Sequence, residues 1–172
     1  MTLRQSSGQA DLVSRMMPSP IGPLRLVART DALVAIDFPD HDGGLEARPI
    51  RAPHTILDRA RKELDEYFAG KRTEFSVPLS ADGTPFQQKV WDALVTIPFA
   101  QTWSYGQLAK KIGRPSASRA VGAANGRNPL PIIVPCHRVI GASGSLVGFG
   151  GGLPTKKWLL AHEQGQRQLA LV

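Results

Sequence analysis

Cysteine is nearly absent from this sequence, which has one thiol, at Cys136, in 172 residues. A single cysteine excludes an internal disulfide framework and a zinc site built from several cysteines. No apolar run of signal-peptide length occurs in residues 1–17, and no run elsewhere approaches the length of a membrane span. We therefore expect a cytoplasmic protein without a membrane partner, built as one domain or two small ones.

Acidic side chains are scarce in the second half of the chain. Residues 1–84 contain 11 basic and 12 acidic side chains, a balance of −1. Residues 85–172 contain ten basic side chains against only Asp92 and Glu163, a balance of +8. A basic half is typical of proteins that approach a polyanion, although a basic face without any partner has the same composition.

The first half has the patterns of a small α+β unit. Apolar runs at residues 24–28, 33–38 and 75–79 predict three short strands, and the polar residues 39–53 predict a loop. Apolar side chains recur at helical spacing over residues 57–68 and predict one helix. No residue in this half suggests chemistry, so its predicted role is that of a scaffold.

Asp82-Gly83 is the predicted boundary between two domains, residues 1–82 and 83–172. Immediately after it, Thr84 has the residue type of a helix N-cap, and the pattern Thr-Pro-x-Gln predicts a capping box. The amphipathic helix that follows is predicted to end before Pro98.

A helix-turn-helix pattern follows in the basic half. We predict one helix over residues 105–112, a second over residues 116–125, and a final helix over residues 155–162. The second helix consists mostly of small residues, with Arg119 as the one long side chain in its middle. Small side chains let a backbone approach DNA closely, which favours shape and phosphate contacts, but packing against a neighbouring helix fits this composition equally well.

The lone cysteine is followed directly by His137 and preceded by the apolar residues 131–134, which predict a strand. Thiolate is the nucleophilic form of cysteine, and with a pKa near ~8.5 only about a few per cent ionises at neutral pH without help. Cys136 beside an imidazole therefore has the composition of an activated nucleophile. The alternative is a small buried apolar side chain with an incidental histidine.

Residues 141–152 contain six glycines, with Phe149 near the end of the segment. Glycine lets a planar ligand pass close to the backbone, so we predict either one mobile wall of a binding site or an ordinary loop.

Several groups of residues at characteristic spacing together resemble the O6-alkylguanine-DNA alkyltransferases. The most specific is the nine-residue segment 133–141, Ile-Val-Pro-Cys-His-Arg-Val-Ile-Gly. The others in the second half are Phe86-Gln87-x-x-Val90-Trp91, Ser104-Tyr105, Ser118-Arg119-Ala120-Val121-Gly122, Asn125-Gly126-x-Asn128-Pro129 and Trp158-Leu159-Leu160-x-His162-Glu163. The first half resembles the family only loosely, through residues 19–24 and 67–70.

This resemblance implies an α+β fold with two parts. The first is a small ribonuclease-H-like α/β domain with an antiparallel sheet, and the second is a mainly helical, winged-helix-turn-helix-like domain. It also implies direct reversal of DNA damage: an O6-alkylguanine is flipped out of double-stranded DNA, and its alkyl group moves to Cys136. Activity on O4-alkylthymine is left open.

The implied enzyme is a methylated-DNA–protein-cysteine S-methyltransferase that acts once. The product is a thioether, and no second cysteine is present to resolve it, so we expect one event per molecule and no cofactor. We expect a monomer in solution, with cooperative assembly on DNA left open.

The resemblance assigns five catalytic roles. Cys136 is the nucleophile, His137 is its base through a bridging water, and Glu163 orients His137. Tyr105 donates a proton or hydrogen bond to the leaving base, which acquires negative charge. Asn128 holds the turn that positions the cysteine.

The resemblance also implies a DNA-binding surface and a base pocket. Arg119 enters the base stack in place of the flipped nucleotide. The other implied DNA contacts are Ser116, Ala117, Ser118, Gly122 and Tyr105. The implied pocket for the alkylated base consists of Pro131, Val139, Phe149, Gly150 and Gly151.

Departures from the family pattern are few. Phe149 stands where tyrosine is frequent, which keeps ring packing and removes one hydroxyl. Ala100 replaces a more usual glycine, with little expected effect. Some relatives hold a structural zinc in the first domain; without cysteine there, we expect no metal and predict that His41 and His54 are surface residues.

Two other functions stay open from the sequence. A non-catalytic lesion sensor or helix-turn-helix DNA binder would share the second half, although the intact Pro-Cys-His-Arg sequence argues against this class. A cysteine hydrolase would use Cys136 and His137 directly. Within one strand, consecutive side chains point to opposite faces, so the second alternative requires a bridging water.

Overall fold

This computed structural model describes Leu3 and residues 11–170, with the backbone alone for residues 167–170. The first half contains four strands and one helix: β1 Val13–Met17, β2 Leu24–Ala28, β3 Leu33–Asp37, β4 Arg48–Pro49 and α1 Thr55–Phe68. The second half contains α2 Pro85–Leu94, β5 Trp103–Ser104, α3 Tyr105–Lys111, α4 Ser118–Gly126, a 3₁₀ turn Cys136–Arg138, β6 Val139–Ile140 and α5 Leu153–Ala170.

The four strands of the first half form one sheet in the order β3-β2-β1-β4. The pairs β1–β2 and β2–β3 are antiparallel as expected, but β4 runs parallel to β1. The sequence patterns missed β1, in which Ser14 and Arg15 interrupt the apolar residues. They also predicted a strand at residues 75–79 that does not form. This segment makes a single bridge, between Leu33 and Leu79.

The helix starts of the second half follow local sequence signals. Thr84 Oγ1 accepts the Gln87 N–H at 3.2 Å, and Gln87 Oε1 accepts the Thr84 N–H at 2.9 Å, which confirms the predicted capping box. Ser104 and Gln107 form the same arrangement at the start of α3. The other two helices differ from prediction: α4 begins at Ser118 without a side-chain cap, and α5 extends well beyond the predicted residues 155–162.

The two halves share one apolar core. Buried side chains of the sheet and α1 are contiguous with those of α2, α3 and α4. The backbone joins the halves as well, because the Ile36 N–H in β3 donates to the Pro129 carbonyl at 2.9 Å. The division at residue 82 stays a prediction. No helix within the described part of the chain is long and apolar enough to cross a membrane.

The apolar residues before the cysteine do not form the predicted strand. Ile132 has φ +74, and the chain then enters the 3₁₀ turn Cys136–Arg138. A β-branched residue at positive φ costs on the order of 1–3 kcal/mol, so the surroundings must stabilise this backbone. Asn128 contributes to this stabilisation, because its Nδ2 donates to the Val134 carbonyl at 2.8 Å and its Oδ1 accepts the Leu130 N–H at 3.0 Å.

Candidate active site

A cavity of about 280 Å³ lies beside the only cysteine. Cys136 lines it and is otherwise almost fully buried, with 5% of its surface exposed. Ten of the twenty lining residues come from the first 82 residues of the chain, among them Phe38 and His41. The cavity therefore lies between the sheet and the segment that contains the cysteine.

The surroundings of Cys136 favour a protonated thiol in the free protein. Burial raises the pKa of Cys136 to about 11, while a hydrogen bond with the Asn128 side chain and the Lys156 ammonium act in the opposite direction. Lys156 is itself fully buried, and its Nζ donates to the carbonyls of Val139 at 2.6 Å and Val147 at 3.1 Å. Reaction at the sulfur therefore needs a base that removes its proton.

His137 has the environment of such a base. It is fully buried, and its Nε2 lies 2.7 Å from Glu163 Oε1. Burial lowers the pKa of His137 below its ordinary value of 6.5, despite the neighbouring carboxylate, so the ring is neutral. Nε2 then carries the proton donated to Glu163, and Nδ1 keeps a lone pair. Among the described residues, Nδ1 has no hydrogen-bond partner.

Glu163 is the centre of a buried hydrogen-bond network. Besides His137, it accepts from Arg138 Nε at 2.9 Å and Nη2 at 3.0 Å, from the Tyr67 hydroxyl at 2.8 Å, and from the Ala100 N–H at 3.1 Å. Burial raises the pKa of Glu163, but the hydrogen bonds from His137 and Arg138 and the charge of Arg138 outweigh this and hold it well below its usual range. The carboxylate is therefore ionised and fixes the imidazole.

The sequence analysis did not connect three members of this network, Arg138, Tyr67 and Ala100, with Glu163. Arg138 is part of the cysteine motif. A charged side chain next to an apolar segment could have indicated that it has a buried acidic partner. Tyr67 belongs to α1, and nothing in the sequence links it to a residue 96 positions away. Ala100 has φ +60, which aims its N–H at Glu163. Glycine adopts this conformation without strain, whereas alanine adopts it at some cost. The expectation that alanine has little effect at this position stays a prediction.

The helix-turn-helix brings Tyr105 to the site. A Cβ added to Gly122 in α4 would lie 3.6 Å from the Tyr105 ring, an ordinary contact distance, so Tyr105 lies directly beside α4. Burial and the neighbouring Cys136 raise the pKa of Tyr105, which keeps its hydroxyl protonated and available as a donor. That hydroxyl contacts the Val147 carbonyl at 3.4 Å.

The predicted DNA contacts lie at the N-terminal end of α4. Ser116 and Arg119 are exposed, whereas Ala117, Ser118 and Gly122 are half-buried. Among the basic residues of the second half whose side chains the structure describes, Arg138 and Lys156 are buried and cannot contact a partner. The exposed basic side chains of α3, the following turn and α4 are Lys110, Lys111, Arg114, Arg119 and Arg127.

The predicted pocket residues divide into two groups. Pro131, Phe149 and Gly150 line the cavity, as does Asn125, which the sequence analysis had placed only within a motif. Val139 is fully buried outside the lining, and Gly151 packs against the rings of Phe38 and Phe149.

The two histidines of the first half were predicted to be surface residues, and each also has a defined contact. His41 is exposed but also lines the cavity. His54 caps α1, because its Nδ1 accepts the Leu57 N–H at 3.3 Å. Within the described residues, no group of three or more His, Cys, Asp or Glu side chains is placed to hold a metal ion.

Comparison with known proteins gives consistent results over both halves. Residues 85–165 match the family model described as 6-O-methylguanine DNA methyltransferase, DNA binding domain, and residues 12–81 match the ribonuclease-like domain of the same proteins. A methylated-DNA–protein-cysteine methyltransferase of Mycobacterium leprae is 49% identical over 152 residues, which are 88% of this chain and 92% of the relative. One from Shigella flexneri is 41% identical, over 88% of this chain and 95% of the relative.

A solved structure matches this chain with an identity and coverage close to those of the relatives above. The crystal structure of Mycobacterium tuberculosis OGT in complex with DNA superimposes with a TM-score of 0.83 at 48% identity, covering 89% of this chain and 93% of that chain.

Proposed function

Since the chain belongs to the methylated-DNA–protein-cysteine methyltransferase family, we propose that Cys136 is the residue that accepts the alkyl group from O6-alkylguanine in double-stranded DNA. The protein is a DNA-repair enzyme that reverses alkylation by transfer to cysteine. One observation carries the assignment of the residue: the only cysteine of the chain lines a cavity, and the next residue in the sequence is a neutral histidine held by a buried carboxylate.

The transfer is a displacement at the alkyl carbon. The Cys136 proton passes through a water molecule to His137 Nδ1, and Glu163 stabilises the imidazolium that forms. The sulfur forms a bond to the alkyl carbon while the bond from that carbon to guanine O6 breaks. The electron pair of the broken bond moves into the guanine, which Tyr105 stabilises by donating its hydroxyl proton or a hydrogen bond. The products are a cysteine thioether and unmodified guanine.

The helix-turn-helix binds the DNA so that the damaged nucleotide can reach Cys136. The attacked carbon is inaccessible inside a duplex, so the nucleotide must be extruded at a cost of a few kcal/mol. Exposed basic side chains around α3 and α4 recover part of this cost through phosphate contacts. Ser116, Ala117, Ser118 and Gly122 form the part of this surface that lets the DNA approach closely. The monomeric state stays a prediction.

The stoichiometry of the reaction tests this function. Protein incubated with duplex DNA that contains radiolabelled O6-methylguanine should take up at most one label per molecule, because the thioether is stable and no second thiol exists. Peptide mapping should find the label on Cys136. Release of free methanol with repeated turnover would indicate a hydrolase instead, and binding without uptake would indicate a lesion sensor.

Arg119→Ala should separate DNA handling from chemistry. Arg119 is exposed in the first turn of α4 and lies outside the cavity lining. Because the proposed role is to fill the space of the flipped base, we expect a loss of roughly ten- to a hundredfold on duplex O6-methylguanine, the scale of a few kcal/mol of extrusion energy. The reaction with free O6-benzylguanine should stay within about twofold of wild type.

A matched control for Arg119→Ala is Arg114→Ala, which removes a neighbouring exposed charge in the turn before α4. It should weaken duplex binding through salt-dependent phosphate contact alone. Equal losses of Arg119→Ala on duplex and free base would contradict the proposed role of Arg119.

A further inference from the structure

We propose that the sheet of the first half forms one wall of the alkyl pocket, through Phe38 and His41, and that this wall determines which O6-substituents larger than methyl are accepted. The proposal rests on the function proposed above, since it concerns the same cavity. It assigns the first half a part in substrate selection in addition to its scaffold role.

The first observation is the contact between the two halves at the glycine-rich segment. Phe38, at the end of β3, is 6% exposed and lies with its ring centroid 5.5 Å from that of Phe149. A Cβ added to Gly151 would lie 2.9 Å from Phe38 Cε2, and one added to Gly150 would lie 3.0 Å from His41 Cδ2. The two rings of the first half are therefore seated on the backbone of the segment that closes the cavity.

The second observation is that this wall is anchored. Asp37 accepts the Gly43 N–H at 3.1 Å and pairs with Arg25 at 3.0 Å, and Arg25 also donates to the Leu45 carbonyl at 3.0 Å. The His41 N–H donates to the Phe38 carbonyl at 3.1 Å, which closes a tight turn. A loop held at several points has one shape, so it can discriminate between substituents.

The third observation concerns the direction of the cavity. Cys136 lines it, and Tyr105 is absent from the lining that the described residues form, although Tyr105 faces the leaving base in the proposed reaction. The cavity thus extends from Cys136 to β3, four residues of which also line it. In O6-methylguanine the attacked carbon carries only hydrogen atoms. In a larger substituent such as benzyl the attacked carbon carries a ring, and this ring enters the space bounded by Phe38 and His41.

His41→Trp tests the wall, because a larger ring at this position fills the cavity without touching Cys136, His137 or Glu163. The measurement is the second-order rate constant of transfer from O6-methylguanine and from O6-benzylguanine, each in the same duplex. We expect benzyl transfer to fall by about tenfold or more, the discrimination that pocket size commonly provides, with methyl transfer within about twofold of wild type.

Two variants complete the design. Glu46→Trp places the same ring on an exposed neighbour outside the lining and should leave both rate constants within about twofold of wild type, the range of surface substitutions. His41→Ala should keep benzyl transfer, which would show that filling the space, and not loss of the imidazole, is responsible for the effect of tryptophan. An equal effect of His41→Trp on both substrates, or no effect on either, would overturn the proposal. Failure of the wild-type protein to alkylate Cys136 from either substrate would instead overturn the proposed function.

Discussion

Cys136→Ser should take up no measurable label from O6-methylguanine DNA, a larger effect than that of any other substitution in the site. Serine keeps the size and the hydrogen-bonding capacity of the side chain but replaces sulfur with an oxygen that is a far weaker nucleophile toward carbon. Loss of the nucleophile commonly costs an enzyme on the order of 10⁶-fold in rate. The single cysteine of this chain leaves no other residue able to compensate.

The fold and DNA binding provide the control for Cys136→Ser. The variant should bind the same duplex with unchanged affinity, because the exposed basic side chains of α3 and α4 are untouched. Its thermal midpoint should stay near that of wild type, since the hydroxyl still contacts Asn128. Retained uptake by the serine variant would mean that another side chain accepts the alkyl group. Lost DNA binding would mean that the substitution had damaged more than the nucleophile.

Glu163→Gln should reduce both the stability of the protein and the rate of transfer. Arg138 is buried and loses its only charged partner within the described residues, and removing one member of a buried ion pair costs roughly 3–5 kcal/mol. The amide also fails to stabilise a protonated His137, so transfer from free O6-benzylguanine should fall on the order of 10²- to 10⁴-fold. Urea unfolding and single-turnover kinetics measure the two effects.

Acid titration provides a second measurement on Glu163. The pKa of Glu163 is held below its ordinary value of 4.5, so the ionised carboxylate stabilises the folded protein above that pH and the stabilisation is lost as the pH falls below it. Wild type should therefore lose stability more steeply than Glu163→Gln between about pH 4.5 and pH 2. Parallel acid unfolding of the two proteins would show that folding does not lower the pKa of Glu163.

A double variant separates stability from catalysis. Arg138→Met combined with Glu163→Gln removes both buried charges, and such replacements are often neutral or stabilising, so most of the lost free energy of unfolding should return. Transfer should stay slow, because His137 still lacks its carboxylate. Tyr67→Phe, which removes one neutral donor to Glu163, should cause a smaller loss of stability. Recovery of transfer together with stability would contradict the orienting role of Glu163.

Local signals predicted the fold well where the structure depends on neighbouring residues. The capping box at Thr84 and the start of α3 depend on contacts within a few positions, and both were predicted. The strand over residues 24–28 was predicted as well, and it pairs with the strands that come just before and just after it in the chain. The segment 131–134 was predicted wrongly because its apolar composition is that of a buried strand. Long-range packing and Asn128 instead hold it in a turn with positive φ at Ile132.

The structure brings several of the predicted site residues together. Glu163 contacts His137, and Pro131, Phe149 and Gly150 line the cavity that Cys136 also lines, while their roles in the reaction stay predictions. The roles of Tyr67 and Ala100 at Glu163 were not predicted. Both contacts join residues more than 60 positions apart, and no periodicity or spacing in a single sequence encodes such a pairing.

The sequence by itself determined the chemistry of this protein: one thiol next to an imidazole, one acidic residue in the last helix, and a basic half around a helix-turn-helix. These are properties of residue type and short spacing, which folding does not alter. Only the tertiary structure decided how the thiol is protected and what surrounds it. Burial raises the pKa of Cys136. Glu163 accepts hydrogen bonds from α1, from the loop at Ala100 and from the 3₁₀ turn that begins at Cys136. The strand β3 lies against the glycine-rich segment, and the cavity lies between them. Each of these depends on excluding water between distant parts of the chain.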